Sequence, residues 1–373
     1  MWYIGCQVPG LEGRIPPLLS IPRRKTDDRL VHLSISCLTE IKIMQIKRAL
    51  QKFKIMPSTK AFIQEARSIP GQGVIDTLHG YIYGRWPYLC IGLGTGKHRL
   101  LRLMKPLWNS IFRILLRFPS DNPQFDTGGL KPGKRQGLSF FREETFADTY
   151  HAKVIPLDSA KKIVSVNRKV QLTNLEHVIP YSLARDIVIR KSNRILLLKC
   201  PCRVSRTNPC LPLDVCLVLG DPFVSFVAEH NPENSRLIDR DEAIDVLAAE
   251  AERGHVHHAF FKEAIFGRFF AICNCCACCC GAIQAQRNGI PMLTSSGYVS
   301  VIDNSVCIGC EICTKSCQFN AITMNGKLAV ANPETCMGCG VCESVCQQNA
   351  IRLQRNLIRS SPLDLDKLIH ADL

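Results

Sequence analysis

Eight cysteines towards the C-terminal end of the chain stand at spacings that suit metal chemistry. They read Cys307-Ile-Gly-Cys310-Glu-Ile-Cys313-Thr-Lys-Ser-Cys317, and again Cys336-Met-Gly-Cys339-Gly-Val-Cys342-Glu-Ser-Val-Cys346. Each run is C-x2-C-x2-C-x3-C, and the second follows the first by 29 residues, position for position. The likeness continues into Gln318-Phe-Asn320-Ala-Ile322 and Gln347-Gln-Asn349-Ala-Ile351, which marks an internal duplication. Three thiolates with two residues between them, on a loop curled around a point, can grip three corners of an iron–sulfur cube. The fourth cysteine starts a short helix leading away, so it reaches the other cube. Cys307, Cys310, Cys313 and Cys346 are therefore expected to hold one cluster, and Cys336, Cys339, Cys342 and Cys317 the second. Gly309 and Gly338 let the loop backbone come close to the metal. Amide N–H groups there would hydrogen-bond the cluster sulfurs and tune the potential. Zinc is the competing metal, but its sites commonly pair C-x2-C units across a longer gap and need no triple repeat.

From about Tyr298 to Gln354 the chain resembles the two-cluster 4Fe-4S ferredoxins. The resemblance implies two cubane clusters, a pseudo-twofold fold of short strands and helices, and one-electron transfer. Gln318 and Gln347 stand where that family usually has proline after the fourth cysteine. The departure weakens the expected turn and removes no ligand.

Thirteen further cysteines precede this module, ten of them between Cys200 and Cys280. Cys200-Pro-Cys202-Arg203 is followed by Cys210 and Cys216, directly after an apolar strand candidate, Asn193–Lys199. These four are expected to bind metal, iron–sulfur ahead of zinc, with Arg203 offsetting cluster charge or donating to a sulfur. Then comes Cys273-Asn-Cys275-Cys276-Ala-Cys278-Cys279-Cys280-Gly281. Six cysteines in eight residues cannot all bind one tetrahedral ion in regular geometry. The ten together suffice for two more cubanes with two thiols to spare, and which thiol goes where is not readable. The arrangement as a whole resembles a group of multi-cluster ferredoxin-domain proteins of anaerobic bacteria, from about His151 to Leu353. That resemblance implies iron–sulfur electron transfer.

The elements that must position these sulfurs give an α+β expectation. A C-terminal ferredoxin-like module of short strands and helices sits on an α/β cysteine-rich body, with a mainly helical, basic N-terminal region. Residues 1–43 read as an extension, 44–150 as the basic region and a linker, and 151–290 as the cysteine-rich metal-binding domain. Residues 291–356 read as the two-cluster domain and 357–373 as a tail. Met44 opens a helix-like run and is a candidate start. Residues 58–69 read as a short helix ended by Pro70-Gly71, and Leu183–Arg190 carries a helical pattern. The clearest helix runs from Asp239, a plausible cap, to Gly254, with Ala243, Val246, Leu247 and Ala251 as its buried stripe. His255, His257 and His258 follow it and are expected at the surface. Gly92-Leu-Gly94-Thr-Gly96-Lys97-His98 is not a phosphate loop, because Ile91 replaces the first glycine and His98 the Ser/Thr.

Charge and composition bound the partners. The chain has 373 residues and 21 cysteines, clustered as a metal protein in a reducing compartment would have them. A cytoplasmic location follows as an expectation. No run of eighteen apolar residues suggests a membrane span. The net charge is +15, and most of it falls before residue 119. Leu100, Leu103, Leu107, Ile111, Ile114 and Leu115 recur there at helical spacing among arginines. This basic arm suits an acidic partner or a membrane surface. Nucleic acid ranks last, since no helix-turn-helix or aromatic–basic alternation supports it. No Ser-His-Asp set, paired carboxylates or dinucleotide fingerprint occurs, so reducing power must come from a redox partner protein. The reading is electron transfer through two 4Fe-4S clusters and one or two more in the central domain. The alternative is a subunit of an anaerobic redox enzyme with a substrate-binding cluster among the central cysteines.

Overall fold

Short apolar runs bounded by turn residues build the centre of the protein. The computed structural model describes residues 55–69, 71–95, 150–166, 170–172, 178, 187–189, 194–262 and 265–365. The chain divides into Met1–Ile55 and Met56–Leu373, and all the described helices and strands belong to the second unit. The expected extension 1–43, the run Met44–Lys54, the basic stretch 99–118 and the linker 119–139 lie outside the described residues.

Three helices come first, α1 (Pro57–Arg67), α2 (Val74–Arg85) and α3 (Pro87–Gly94). Proline opens α1 and α3, where its missing N–H costs nothing. Next come β1 (Tyr150–Ile155), α4 (Leu157–Val164), β2 (Val170–Leu172) and β3 (Ile187–Ile189). The helical pattern over Leu183–Arg190 is overturned at its end: Ile187-Val-Ile189 pairs with β2 as a strand, in keeping with three β-branched residues in a row. The body continues with β4 (Ile195–Lys199), α5 (Pro201–Val204), β5 (Asp214–Leu219), α6 (Phe223–His230) and β6 (Ser235–Ile238). Then follow α7 (Arg240–Glu252), β7 (Val256–Lys262), β8 (Arg268–Cys275), α8 (Gly281–Arg287) and β9 (Leu293–Thr294). The last segment holds β10 (Tyr298–Ile302), α9 (Ile312–Ser316), β11 (Ile322–Asn325), β12 (Leu328–Ala331), α10 (Val341–Ser344) and β13 (Ile351–Arg355). Helices and mixed sheets make this an α+β protein.

Seven strands form one sheet in the order β6-β4-β5-β8-β7-β1-β9. The β1–β9 pair is parallel and its other neighbours are antiparallel. Both faces are covered, so the central strands are continuous apolar runs. Alternation along β4 shows the division. Leu196 and Leu198 join a core with Val218, Phe260, Phe223, Phe226 and Phe62, under α1, α2 and α6. Ile195 and Leu197 face Leu217, Ile272, Ile163 and Leu247, under α4 and α7. Helix α7 starts where Asp239 Oδ1 accepts from the Glu242 N–H at 2.8 Å, and ends at Gly254 with φ 75°. The C-terminal segment also joins the second core through Leu363 and Leu365. Lys153 Nζ pins it, donating to Ser360 Oγ at 2.8 Å and to the Ser361 and Val178 carbonyls, each at 2.7 Å.

The expectation for the three histidines is corrected. His257 and His258 are buried because β7 is a central strand buried along its whole length, and His255, just before it, is buried against Glu250.

Helix α2 crosses α6 closely at Gly84. A Cβ there would lie 2.7 Å from Phe226 Cε1 and 2.9 Å from Phe223 Cε2. Gly84→Ala should therefore lower stability by roughly 1–3 kcal/mol through overpacking. Thermal unfolding of the anaerobically prepared protein measures this. Gly94→Ala, with open space around the added methyl, serves as the control and should unfold nearly where the parent does.

Candidate metal centres

The C-terminal repeat is visible in the backbone. Gly309 and Gly338 have φ of 70° and 63°, Glu311 and Gly340 63° and 87°, Asn320 and Asn349 54° and 51°. Three left-handed positions thus recur at one spacing. A Cβ at Gly309 would collide with the Lys327 carbonyl, and one at Gly338 with the Tyr298 carbonyl, so both loops need glycine. Strand β10 pairs antiparallel with β13, and β11 with β12, so the two loops open beside two short ladders.

The sulfurs gather in two places. Cys307, Cys310, Cys313 and Cys346 line one small cavity of about 50 Å³, with Ile308, Gly309, Ala329 and Ile351. Cys339 and Cys342 have thiols pushed up chiefly by burial, Cys342 to about 12, and both also feel the neighbouring Cys317 and Cys336. Cys346 therefore stands with the first loop and Cys317 with the second. Three polar contacts missed by sequence reading reach the second set. The Ser300 N–H reaches Cys336 Sγ at 3.4 Å, Ser300 Oγ contacts Cys342 Sγ at 3.0 Å, and the Ala321 N–H reaches Cys317 Sγ at 3.2 Å. All the described cysteines are free thiols.

The ten central cysteines divide six and four. Cys200 closes β4, Cys202 lies in α5, Cys216 on β5, Cys273 and Cys275 on β8, and Cys280 caps α8. Cys216 and Cys273 are direct cross-strand partners. Neighbouring thiols act on one another's ionisation from Cys273 to Cys216, Cys216 to Cys200, Cys200 to Cys202, Cys202 to Cys280 and Cys280 to Cys275. Cys275 also feels the charge of Cys273, so the six make a ring. The other four are Cys210, Cys276, Cys278 and Cys279, whose sulfurs all lie within 4.8 Å of one another. The four cysteines between Cys200 and Cys216 are thus not one set. The loop before β5 carries Cys210 away to the Cys276–Cys279 turn. Burial pushes the Cys276 thiol up to about 12 and the Cys278 thiol up to about 11.

The ring opens on a cavity of about 580 Å³ walled by Tyr83, Phe223, Phe260, Phe270 and Met292. Cys90, from α3, lines the same cavity, and no cysteine pattern in the sequence singles it out.

The Arg203 side chain gives its hydrogen bonds to groups other than sulfur, while its charge favours the Cys200 thiolate. It is 1% exposed and gives hydrogen bonds to Glu250 Oε2 at 2.6 Å, the Asn274 carbonyl at 3.1 Å and the Pro212 carbonyl. His255 Nδ1 lies 2.7 Å from Glu250 Oε2, and Arg253 donates to Oε1 at 2.9 Å. Burial works to raise the Glu250 pKa, but bonds from His255 and Arg203 outweigh it and hold the carboxyl below its usual range. His257 Nδ1 meets Asn274 Oδ1 at 2.6 Å, and Asn274 donates to the Val215 carbonyl at 2.7 Å. The network braces the strand ends that carry Cys216 and Cys275.

Gln318 joins the two cysteine regions. Its Nε2 donates to the Gly254 carbonyl at 2.8 Å, and its Oε1 accepts from the Ala277 N–H at 2.8 Å. Ala277 lies between Cys276 and Cys278, and Gln318 follows Cys317. Arg287 adds bonds to the Gln318 carbonyl and to Asn320 Oδ1, at 2.7 and 3.0 Å. Proline in place of Gln318 could make neither side-chain bond.

The family model of the 4Fe-4S dicluster domain matches residues 306–350, a span that contains all eight C-terminal cysteines. Those residues form a ferredoxin-type domain. No curated protein sequence matches the chain. No helix among the described residues is long and apolar enough to cross a membrane.

Two substitutions test these contacts. Glu250→Ala leaves Arg203 as a buried cation without its carboxylate and should cost roughly 3–5 kcal/mol in chemical denaturation. Gln318→Pro should leave the C-terminal domain folded but speed hydrogen exchange at the Ala277 amide, measured by mass spectrometry.

Proposed function

We propose that the protein transfers electrons through iron–sulfur clusters. Cys307, Cys310, Cys313 and Cys346 would hold one 4Fe-4S cluster, and Cys317, Cys336, Cys339 and Cys342 a second. The observation that carries this is the exchange of the fourth cysteine between the two loops. A bound cluster supplies a one-electron couple at a potential set by its surroundings. This chain's residues do the rest. Buried thiols that resist ionisation in the metal-free state suit a cationic iron core, which stabilises the thiolate where water cannot. The N–H groups of Ser300 and Ala321 place positive dipoles on the sulfurs of the second set, which favours its reduced form. The two sets are exposed differently. Cys310 is exposed and Ile308 beside it is 66% exposed, whereas Cys336 is buried in the core it shares with Cys275 and Cys280 of the central domain. Electrons from a redox partner protein would enter at Cys310 and leave towards the central cysteines. The ring of Cys200, Cys202, Cys216, Cys273, Cys275 and Cys280 would hold a further iron–sulfur centre. The basic N-terminal region would dock the molecule, in the cytoplasm, on an acidic partner or at a membrane surface.

A second reading follows from the cavity. A ring of thiols facing about 580 Å³ of mainly apolar space could serve an anaerobic redox enzyme whose substrate meets the central cluster. Reductant-dependent turnover that a bulky substitution such as Ala271→Phe abolishes, with iron content unchanged, would favour it over pure electron relay.

Anaerobic purification with iron and sulfide analysis and EPR of the reduced protein tests the main reading. Two cubanes bring about eight irons, and a centre on the ring adds to that. Cys346→Ser should remove the same EPR signal as Cys307→Ser, and Cys317→Ser the same signal as Cys336→Ser. Signals that pair within each loop instead would refute the exchanged ligation.

A further inference from the structure

Among the described residues, Cys210, Cys276, Cys278 and Cys279 form the one cysteine group whose sulfurs are all mutually close. All four lie within 4.8 Å of one another, with Cys210 Sγ and Cys278 Sγ at 2.9 Å and Cys278 Sγ and Cys279 Sγ at 3.7 Å. A zinc ion with four Zn–S bonds of about 2.3 Å sets its sulfurs about 3.8 Å apart in a tetrahedron. A cubane holds its four outer thiolates roughly 6 Å apart, because four irons and four sulfides stand between them. With separations from 2.9 Å to at most 4.8 Å, the Cys210 set is too tight for the second and brackets the spacing of the first.

The same chain supplies the comparison. All eight C-terminal cysteines are described, and four of them, Cys307, Cys310, Cys313 and Cys346, line a cavity where the first loop meets Cys346. Among the described residues, the Cys210 set is the one group of three or more potential metal-binding side chains this close together. Two kinds of spacing in one molecule point to two kinds of metal.

The surroundings are built for a small, closed centre. Cys276, Cys278 and Cys279 come from one turn, held by the Cys280 N–H on the Cys276 carbonyl at 2.9 Å. Cys210 closes the set from the loop before β5, and its N–H points at Cys279 Sγ at 3.5 Å. The carbonyls of the turn are taken up from outside. Arg206 donates to the Cys279 carbonyl at 2.8 Å, and Gln284 Nε2 to those of Ala277 and Cys278 at 3.1 and 2.9 Å. Arg206 also brings a cation next to a centre whose four thiolates would leave it with two negative charges.

We propose that Cys210, Cys276, Cys278 and Cys279 bind a single zinc ion in a closed tetrahedral site. Four protein sulfurs leave no open position, so the ion is structural. It fastens the 205–213 loop to the turn that Gln318 holds from the other side. It thereby fixes the docking of the ferredoxin-type domain without taking part in redox change.

The full chain, produced with both metals supplied and purified anaerobically, is assayed for zinc, iron and acid-labile sulfide in one sample. One zinc per chain is expected. In the Cys210→Ser/Cys278→Ser variant zinc should fall to near zero while iron and sulfide stay at the parent level. Zinc-edge X-ray absorption of the parent should show one sulfur shell at about 2.3 Å and no iron beyond it. Parent protein without zinc, an iron neighbour around the zinc, or iron and sulfide lost together in the variant would each overturn the proposal. If the variant does not fold, the absorption spectrum of the parent decides. Zinc without iron or sulfide would leave this site standing and remove the electron-transfer reading instead.

Discussion

Sulfur crowding in a dry interior is the constraint on which this structure depends. Eighteen cysteines stand between Cys200 and Cys346, many of them buried and within reach of several others. A buried thiol resists ionisation, and a second thiolate beside it raises the cost further. Such a gathering stays neutral or it binds cations. The shifts at Cys276, Cys339 and Cys342 express this directly, since burial is the largest cause at each. The interior is organised to place sulfurs, and the rest of the fold holds them in register.

The seven-stranded sheet does most of that placing. Its strands end together, so that Cys200, Cys216, Cys273 and Cys275 meet although they lie far apart in sequence. The Arg203–Glu250–His255 network locks those ends at a depth where an unpaired charge would be costly. Gln318 then carries the order across to the C-terminal domain through two hydrogen bonds. A position that departs from the ferredoxin pattern turns out to be a contact with the central body. A shared core extends the same connection, since Phe319, Cys336, Met337 and Val341 pack with Cys275 and Cys280.

Much of the fold was legible locally. Helix α7 could be read from its cap, its acidic first turn and its closing glycine, because those signals act within a few residues. Strand β4 could be read from its uninterrupted apolar run. The histidines after α7 were misjudged for the complementary reason. Whether a segment following a helix is exposed depends on what covers it, and β7 is covered on both faces by parts of the chain remote in sequence. Ile187–Ile189 was misjudged because apolar spacing alone does not separate a short helix from a short strand. Cys90 went unnoticed because a lone cysteine carries no spacing.

The repeated cysteine spacing, by itself, determined that two loops of one kind exist and what chemistry they suit, because the ligand triplet of each lies within seven residues. Sequence also showed that the central thiols were too many for one ion. Only the tertiary structure divided those ten into a ring of six and a tight set of four. Adjacent cysteines on one turn point in different directions, and the partner each one meets is brought by another strand or loop. Cys210 and Cys216 are near neighbours along the chain and belong to different groups, because the end of a β-strand lies between them.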